Sequence, residues 1–266
     1  MTSLAKEVQR NFGPGFLTTL VVMTVLGWFV MLLQHQHGHD LAGPHFVGLI
    51  CGEIGTGRSA AMIWLTGWAL MIVAMMVPPA LPLLQTVARL ARGRSDGAPM
   101  VIATALAFMG VWIVAGLLLW LSGTFAVRAF TRFPDASTWS RTISGTAAIF
   151  AGAYQFSPLK KACLTACRSP AGIAMTHWGS TSPLAASFRI GAHFGAVCVG
   201  CCWALMLLTL AVGTFAMPLM IVVSLFMLAE RLLPSVRPLV PLQAGFAMLI
   251  GILILTGLLP PGFLII

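Results

Sequence analysis

The sequence predicts an all-α fold, a polytopic bundle of transmembrane helices that forms one integral membrane domain over residues 1–266. Three observations support this prediction. Hydrophobic residues make up 59% of the chain and charged residues only 8%, whereas a soluble domain carries about 25% charged residues. The mean hydropathy is +0.96. The apolar residues also fall into windows close to the ~20 residues that a helix needs to cross a bilayer.

Seven apolar windows are the predicted spans. The second contains Pro78 and Pro79, which remove two backbone donors and must kink the helix. The fourth and sixth windows are short, so six spans are the alternative count. In chain order the windows are 14–34, 60–87, 99–124, 142–158, 188–213, 216–233 and 241–260.

The net charge of +9 indicates topology rather than binding to nucleic acid. In a seven-span arrangement, eleven of the fifteen Lys and Arg residues lie on one side of the membrane. Such residues concentrate in cytoplasmic loops, which predicts a cytoplasmic N-terminus. No basic patch is interleaved with aromatic residues, so we expect the lipid bilayer as a partner and no nucleic acid. The eleven are Lys6, Arg10, Arg89, Arg92, Arg94, Lys160, Lys161, Arg168, Arg189, Arg231 and Arg237.

Two cysteines occur in the segment "SPLKKACLTACRSP", which has a proline at each end. This segment predicts a short helix between the fourth and fifth spans. Cys163 and Cys167 are four residues apart, so on a helix they share a face. The flanking cations favour ionised thiols, although they would serve equally as interfacial anchors. These cations are Lys160, Lys161 and Arg168.

Three further cysteines lie in the first half of the fifth span, in "GAVCVGCCWALM". Cys198, Cys201 and Cys202 cover an arc of about 100° on a helix, and Met206 continues the same side two turns beyond Cys198. Thiolate and thioether sulfurs select Cu(I), and thiolates also bind zinc and iron–sulfur clusters. A single membrane cysteine is usually a packing residue, but packing does not require five thiols within 40 residues.

The second predicted span carries three methionines in "WALMIVAMMVPP". Met71 and Met75 share a face, and Met76 is turned about 100° away. Methionine at helical spacing is commonly a packing residue. Thioethers beside the proline break could alternatively relay Cu(I) inward.

Histidines cluster at the outer end of the first predicted span, in "LLQHQHGHD". His35, His37 and His39 form a candidate capture site, because imidazole binds copper and zinc. A polar helix end is the alternative. Elsewhere, His177 and His193 are isolated in the sequence, and His193 points away from the cysteine face on a helical wheel.

Glu230 is the one acid that we place at membrane level. Intramembrane acids are candidate functional residues, but its neighbour Arg231 and its interfacial position fit a snorkelling ion pair equally well. Only six acids occur in the chain, and no nucleophile or phosphate-binding motif accompanies them. The sequence therefore favours a protein that is not an enzyme.

Four segments in the same order resemble an uncharacterised bacterial family of predicted metal-binding integral membrane proteins, some of which are labelled copper chaperones. These segments are "AMMVPP", "YQFSPLKKACLTACRSP", "GAVCVGCCWALM" and "MLAERL", and they lie within a core of about residues 60–233. The resemblance implies a multi-pass protein of the bacterial inner membrane with a cysteine-based metal site. Arg231 departs from the lysine of many members. The matching residues are Met75, Met76, Lys160, Cys163, Cys167, Cys198, Cys201, Cys202, Trp203, Met206 and Glu230.

The leading hypothesis is a membrane protein that captures, transfers or inserts Cu(I) through its cysteines and methionines, with zinc as the competing metal. Such a protein requires a metal-donor or metal-acceptor protein as a partner. The alternatives are a membrane thiol–disulfide oxidoreductase and a non-catalytic assembly subunit of a membrane complex.

Overall fold

The computed structural model describes residues 58–130, 136–179, 182–211, 216–233 and 238–259, and five helical residues of the first predicted span, namely Val22, Val25, Leu26, Trp28 and Phe29. The all-α prediction is confirmed, because these parts of the chain contain helices and no strand. The helices are α1 (Arg58–Met75), α2 (Val77–Leu90), α3 (Gly97–Phe130), α4 (Ala136–Tyr154), α5 (Pro158–Cys167), α6 (Pro170–His177), α7 (Pro183–Leu210), α8 (Ala216–Leu232) and α9 (Leu239–Leu255).

The second predicted span is broken at Met76. α1 ends one residue before this position and α2 begins one residue after it, and the two helices are bent by 66° relative to each other. Pro78 and Pro79 lie in the first turn of α2, where a missing N–H is tolerated because it would have no partner within the helix. The predicted kink is confirmed, and it is the end of one helix followed by the start of another.

Two of these helices, α3 and α7, are long and apolar enough to cross a membrane, and the bent pair α1–α2 gives a third span if it counts as one. α9 is apolar but has only 17 residues, which is about 26 Å of helix against roughly 30 Å of hydrocarbon. In the part of the chain that the structure describes, length and hydropathy therefore support two or three spans, fewer than the seven predicted. Helices occupy six of the seven windows, and most of the first window lies outside the described residues.

α7 is the central helix. It packs most extensively on α3 and also contacts α4, α5, α6 and α8. Gly191 brings α7 against α3 so closely that a Cβ atom there would overlap the carbonyl oxygen of Thr104. The Thr104 hydroxyl donates to the carbonyl oxygen of Ser187 at 3.2 Å. Small residues permit this kind of approach between membrane helices, and here it fixes α7 with its other sides facing α5 and α8.

Candidate metal centre

The three cysteines of α7 are fully inside the protein. Cys198, Cys201 and Cys202 are at most 1% exposed. The sulfurs of Cys201 and Cys202 are 3.2 Å apart, and the Cys201 thiol donates to the carbonyl oxygen of Cys198 at 3.2 Å. The predicted arc on the fifth span is therefore a compact cluster of sulfur atoms in an apolar interior.

The segment before this helix folds as predicted into the short helix α5. Ser157 is its N-cap, and the serine hydroxyl oxygen accepts hydrogen bonds from the backbone N–H groups of Leu159 and Lys160 at 3.1 and 3.4 Å. Pro158 follows as the first helical residue, a position where its fixed φ suits the helix. The cap sets the residue at which α5 begins. Because α5 packs against α7, the start of α5 affects which of its side chains face the thiol cluster.

Of the two cysteines on α5, only Cys167 joins the cluster closely. It is buried, and its thiol lies close enough to interact with those of Cys198 and Cys201. Cys163 is half-buried and packs on Gly200, where a Cβ atom would lie 2.6 Å from its sulfur. Burial raises the pKa of the Cys163 thiol, which opposes the ionised form that the flanking cations were expected to favour.

A guanidinium group stands among the thiols. One terminal nitrogen of Arg231, Nη2, lies 3.0 Å from the sulfur of Cys198, 3.6 Å from that of Cys202 and 3.7 Å from that of Cys201. The other, Nη1, donates to the carbonyl oxygen of Pro79 at 3.4 Å. Arg231 therefore connects the α1–α2 break to the thiols of α7. Sequence reasoning placed this cation in a loop and missed its contact with sulfur.

The predicted site residues Lys160 and Glu230 form a buried ion pair. Lys160 Nζ lies 2.6 Å from Glu230 Oε1, and each side chain is 1% exposed. Lys160 also donates to the side-chain oxygens of Gln155 and Gln243. The snorkelling pair that the sequence suggested between Glu230 and Arg231 is wrong, because adjacent residues on a helix point about 100° apart. The pairing partner comes instead from α5.

Lys160 and Arg168 were expected to favour ionised thiols or to anchor the chain at the interface, but both contact oxygen atoms instead. Lys160 contacts oxygen atoms, and Arg168 donates to the carbonyl oxygens of Glu230 and Leu233 at 3.1 and 2.6 Å, which joins the end of α5 to the end of α8. Lys160 and Arg231 were two of the eleven cations counted as cytoplasmic loop charges. Both take part in interior contacts, so they carry no information about topology.

The four predicted methionines are buried. Met71 and Met75 lie on α1, Met76 lies at the break and Met206 lies on α7, each at most 2% exposed. The separate orientation expected for Met76 does not leave it on the surface, because the chain changes direction there. The thioethers are thus inside the protein, as both the packing and the relay interpretations require.

Two histidines that the sequence left isolated are in contact. His177 Nε2 and His193 Nδ1 are 2.9 Å apart, and the rings meet edge to face. The pair joins the end of α6 to α7, a contact that no sequence spacing signals. The predicted capture residues His35, His37 and His39 lie outside the described residues.

Within the described ranges, no group of three or more Cys, His, Asp or Glu side chains is arranged to hold a metal ion. The four thiols nevertheless have suitable chemistry for a soft ion, because thiolates and thioethers are the ligands that Cu(I) prefers. The guanidinium lies against three of these sulfurs.

The sequence model of a family described as PpoB2, copper chaperone, matches residues 65–254, which are 190 of the 266 residues. The chain belongs to this family. The predicted resemblance is thereby confirmed, and the matched range contains every cysteine and methionine of the proposed centre together with Lys160, Glu230 and Arg231. His35, His37 and His39 lie outside it. No curated protein and no solved structure matches the chain.

Proposed function

We propose that this protein binds Cu(I) as cargo on the thiols of Cys167, Cys198, Cys201 and Cys202 and passes it on without catalytic turnover. The observation that carries this proposal is the meeting of four buried cysteines from α5 and α7 beside a fixed cation. Apolar packing has no need for a cation at this point. Membership of a copper-chaperone family supports the same assignment.

The remaining predicted residues would provide a route for the ion. The thioethers of Met71, Met75, Met76 and Met206 would relay copper, since thioethers bind Cu(I) without having to lose a proton. The histidines of the first external loop would collect it. We place the protein in the bacterial inner membrane as a multi-pass protein with a cytoplasmic N-terminus, and a donor or acceptor protein would complete the transfer.

Metal content of the purified protein tests this proposal. The protein is purified anaerobically in detergent from cells given trace copper, zinc and iron, and the bound metals are measured by elemental analysis. We expect near-stoichiometric copper in the wild type and its loss in Cys198→Ser/Cys202→Ser. Cys163→Ser is the matched control, because this sulfur packs on Gly200 at the edge of the cluster.

The controls distinguish the loss of metal ligands from the loss of folded protein. Copper retained at the wild-type level in a quadruple variant with serine at Cys167, Cys198, Cys201 and Cys202 would sink the proposal. Each variant is first checked for a monodisperse elution profile, so that lost metal reflects lost ligands rather than unfolding.

A second candidate function is thiol–disulfide exchange, which the approach of the Cys167 thiol on α5 to the Cys198 and Cys201 thiols on α7 favours. Two thiols would form one disulfide, with two electrons and two protons passing to a quinone or to a disulfide partner. Alkylation in cells before and after reduction, followed by mass spectrometry, distinguishes the two functions. Thiols that stay reduced throughout growth favour copper binding.

A further inference from the structure

The position of Arg231 carries an inference about which ions the proposed copper centre accepts, and it rests on that proposed function. We propose that the Arg231 guanidinium makes the thiol cluster selective for a monovalent metal ion over a divalent one. Arg231 is thus a specificity-determining residue that contacts the ligands.

The guanidinium is held in place independently of any metal. Nη1 donates to the carbonyl oxygen of Pro79 at 3.4 Å, and the guanidinium carbon lies 6.0 Å from the ring centre of Phe194, within the range of a cation–π contact. Pro79 belongs to α2 and Phe194 to α7. Anchors on two different helices keep the charge beside the sulfurs of Cys198, Cys201 and Cys202.

Charge balance then distinguishes the candidate ions. When two of the four thiols are ionised, Cu(I) held by these two thiolates is a complex of net charge −1, and the guanidinium makes the whole group neutral. A divalent ion on the same two thiolates leaves a net charge of +1 in an apolar interior, where an uncompensated charge is strongly disfavoured. Neutrality would return only with a third thiolate.

The expected size of the effect follows from the distances. A metal bound to the sulfur of Cys198 at about 2.3 Å lies no farther than about 5.3 Å from Nη2, since that nitrogen is 3.0 Å from the sulfur. At an effective dielectric constant of about 20, one extra positive charge at this separation disfavours binding by roughly 200-fold. Removal of the guanidinium should therefore weaken the preference for the monovalent ion by at least about tenfold.

A competition experiment tests this role. Wild type, Arg231→Lys and Arg231→Gln are purified in detergent, stripped of metal and exposed anaerobically to equal buffered concentrations of Cu(I) and Zn(II). The copper-to-zinc ratio in each protein is measured by elemental analysis. We expect a high ratio in the wild type, a ratio within about threefold of it in Arg231→Lys, and a drop of at least tenfold in Arg231→Gln.

Each outcome is decisive. If Arg231→Gln loses both metals equally and the ratio is unchanged, the guanidinium only favours thiolates and the selectivity role is overturned, while the proposed function stands. If Arg231→Gln does not fold, the charge-keeping Arg231→Lys decides, and a collapsed ratio there overturns the inference. A wild type that binds neither ion overturns the inference and the proposed function together.

Discussion

The buried ion pair between Lys160 and Glu230 offers the sharpest test of the packing that holds the candidate centre. The pair joins α5, which carries Cys167, to α8, which carries Arg231. Replacement of Glu230 by Gln leaves Lys160 charged in the interior with amide oxygens as its only partners. Replacement of Lys160 by Met leaves Glu230 without an opposite charge.

The magnitude follows from the geometry. The two charged atoms are 2.6 Å apart and both side chains are 1% exposed, so solvent does not screen the interaction. The loss of one partner of such a pair costs about 3–5 kcal/mol. For a chain of this size, each kcal/mol shifts Tm by roughly 2–4 °C, so either single substitution should lower Tm by about 6–20 °C.

The assay is thermal unfolding in detergent, followed by the loss of the monodisperse peak in size-exclusion chromatography after heating. Lys161→Met is the matched control, because Lys161 is the next residue on α5 and is exposed; it should change Tm by less than about 2 °C. The double variant Lys160→Met/Glu230→Leu removes both charges, and it should be more stable than either single variant.

Two results would refute this reasoning. Single variants within about 2 °C of the wild type would mean that the pair is solvated or unformed in the folded protein. A double variant whose loss equals the sum of the two single losses would mean that the two charges do not interact.

Two further predictions concern the approach of α5 to α7. Gly200→Ala places a Cβ atom 2.6 Å from the sulfur of Cys163 and should destabilise the protein by about 1–3 kcal/mol through overpacking. Gly110→Ala on α3 is the control and should be neutral or stabilising, because a Cβ atom there would meet nothing within 4 Å. Equal Tm values for the two variants would contradict the close packing of α5 on α7. Ser157→Ala removes the N-cap of α5 at a cost of about 1 kcal/mol and should weaken copper retention, because this helix presents Cys167. Ser157→Asp should restore both the stability and the copper retention. A lowered Tm with unchanged copper retention in Ser157→Ala would show that the N-cap does not affect the copper site.

Local signals made parts of this structure predictable. The prolines around "LKKACLTACRS" predicted α5, because proline suits the first turn of a helix and cannot continue one. Pro78 and Pro79 predicted a kink in the second span because they remove two backbone donors, and the structure places the break at Met76. The spacing of the α7 cysteines predicted that their thiols share one side of a helix, since that depends only on helical geometry.

Contacts between helices were not predictable in the same way. The positive-inside rule assigned Lys160 and Arg231 to cytoplasmic loops. A count of charges along the chain contains no information about which helices pack together, so it could not show that these two side chains make interior contacts. The sequence did contain one signal for these contacts, namely the adjacent charges Glu230 and Arg231 in an apolar helix. Neighbouring side chains on a helix point in different directions, so these two charges need different partners. The contact between His177 and His193 joins two helices through side chains that have no common sequence pattern.

The burial of the cysteines has a consequence for the kinetics of exchange. Almost no solvent-accessible surface remains on Cys198, Cys201 and Cys202. A sulfur ligand of an acceptor protein therefore could not reach an ion bound to these cysteines. Ligand exchange with a partner would have to wait until neighbouring helices separate, and the opening rate of the bundle, rather than the intrinsic lability of copper–sulfur bonds, would set the turnover of cargo. The same shielding would protect the thiols from oxidants.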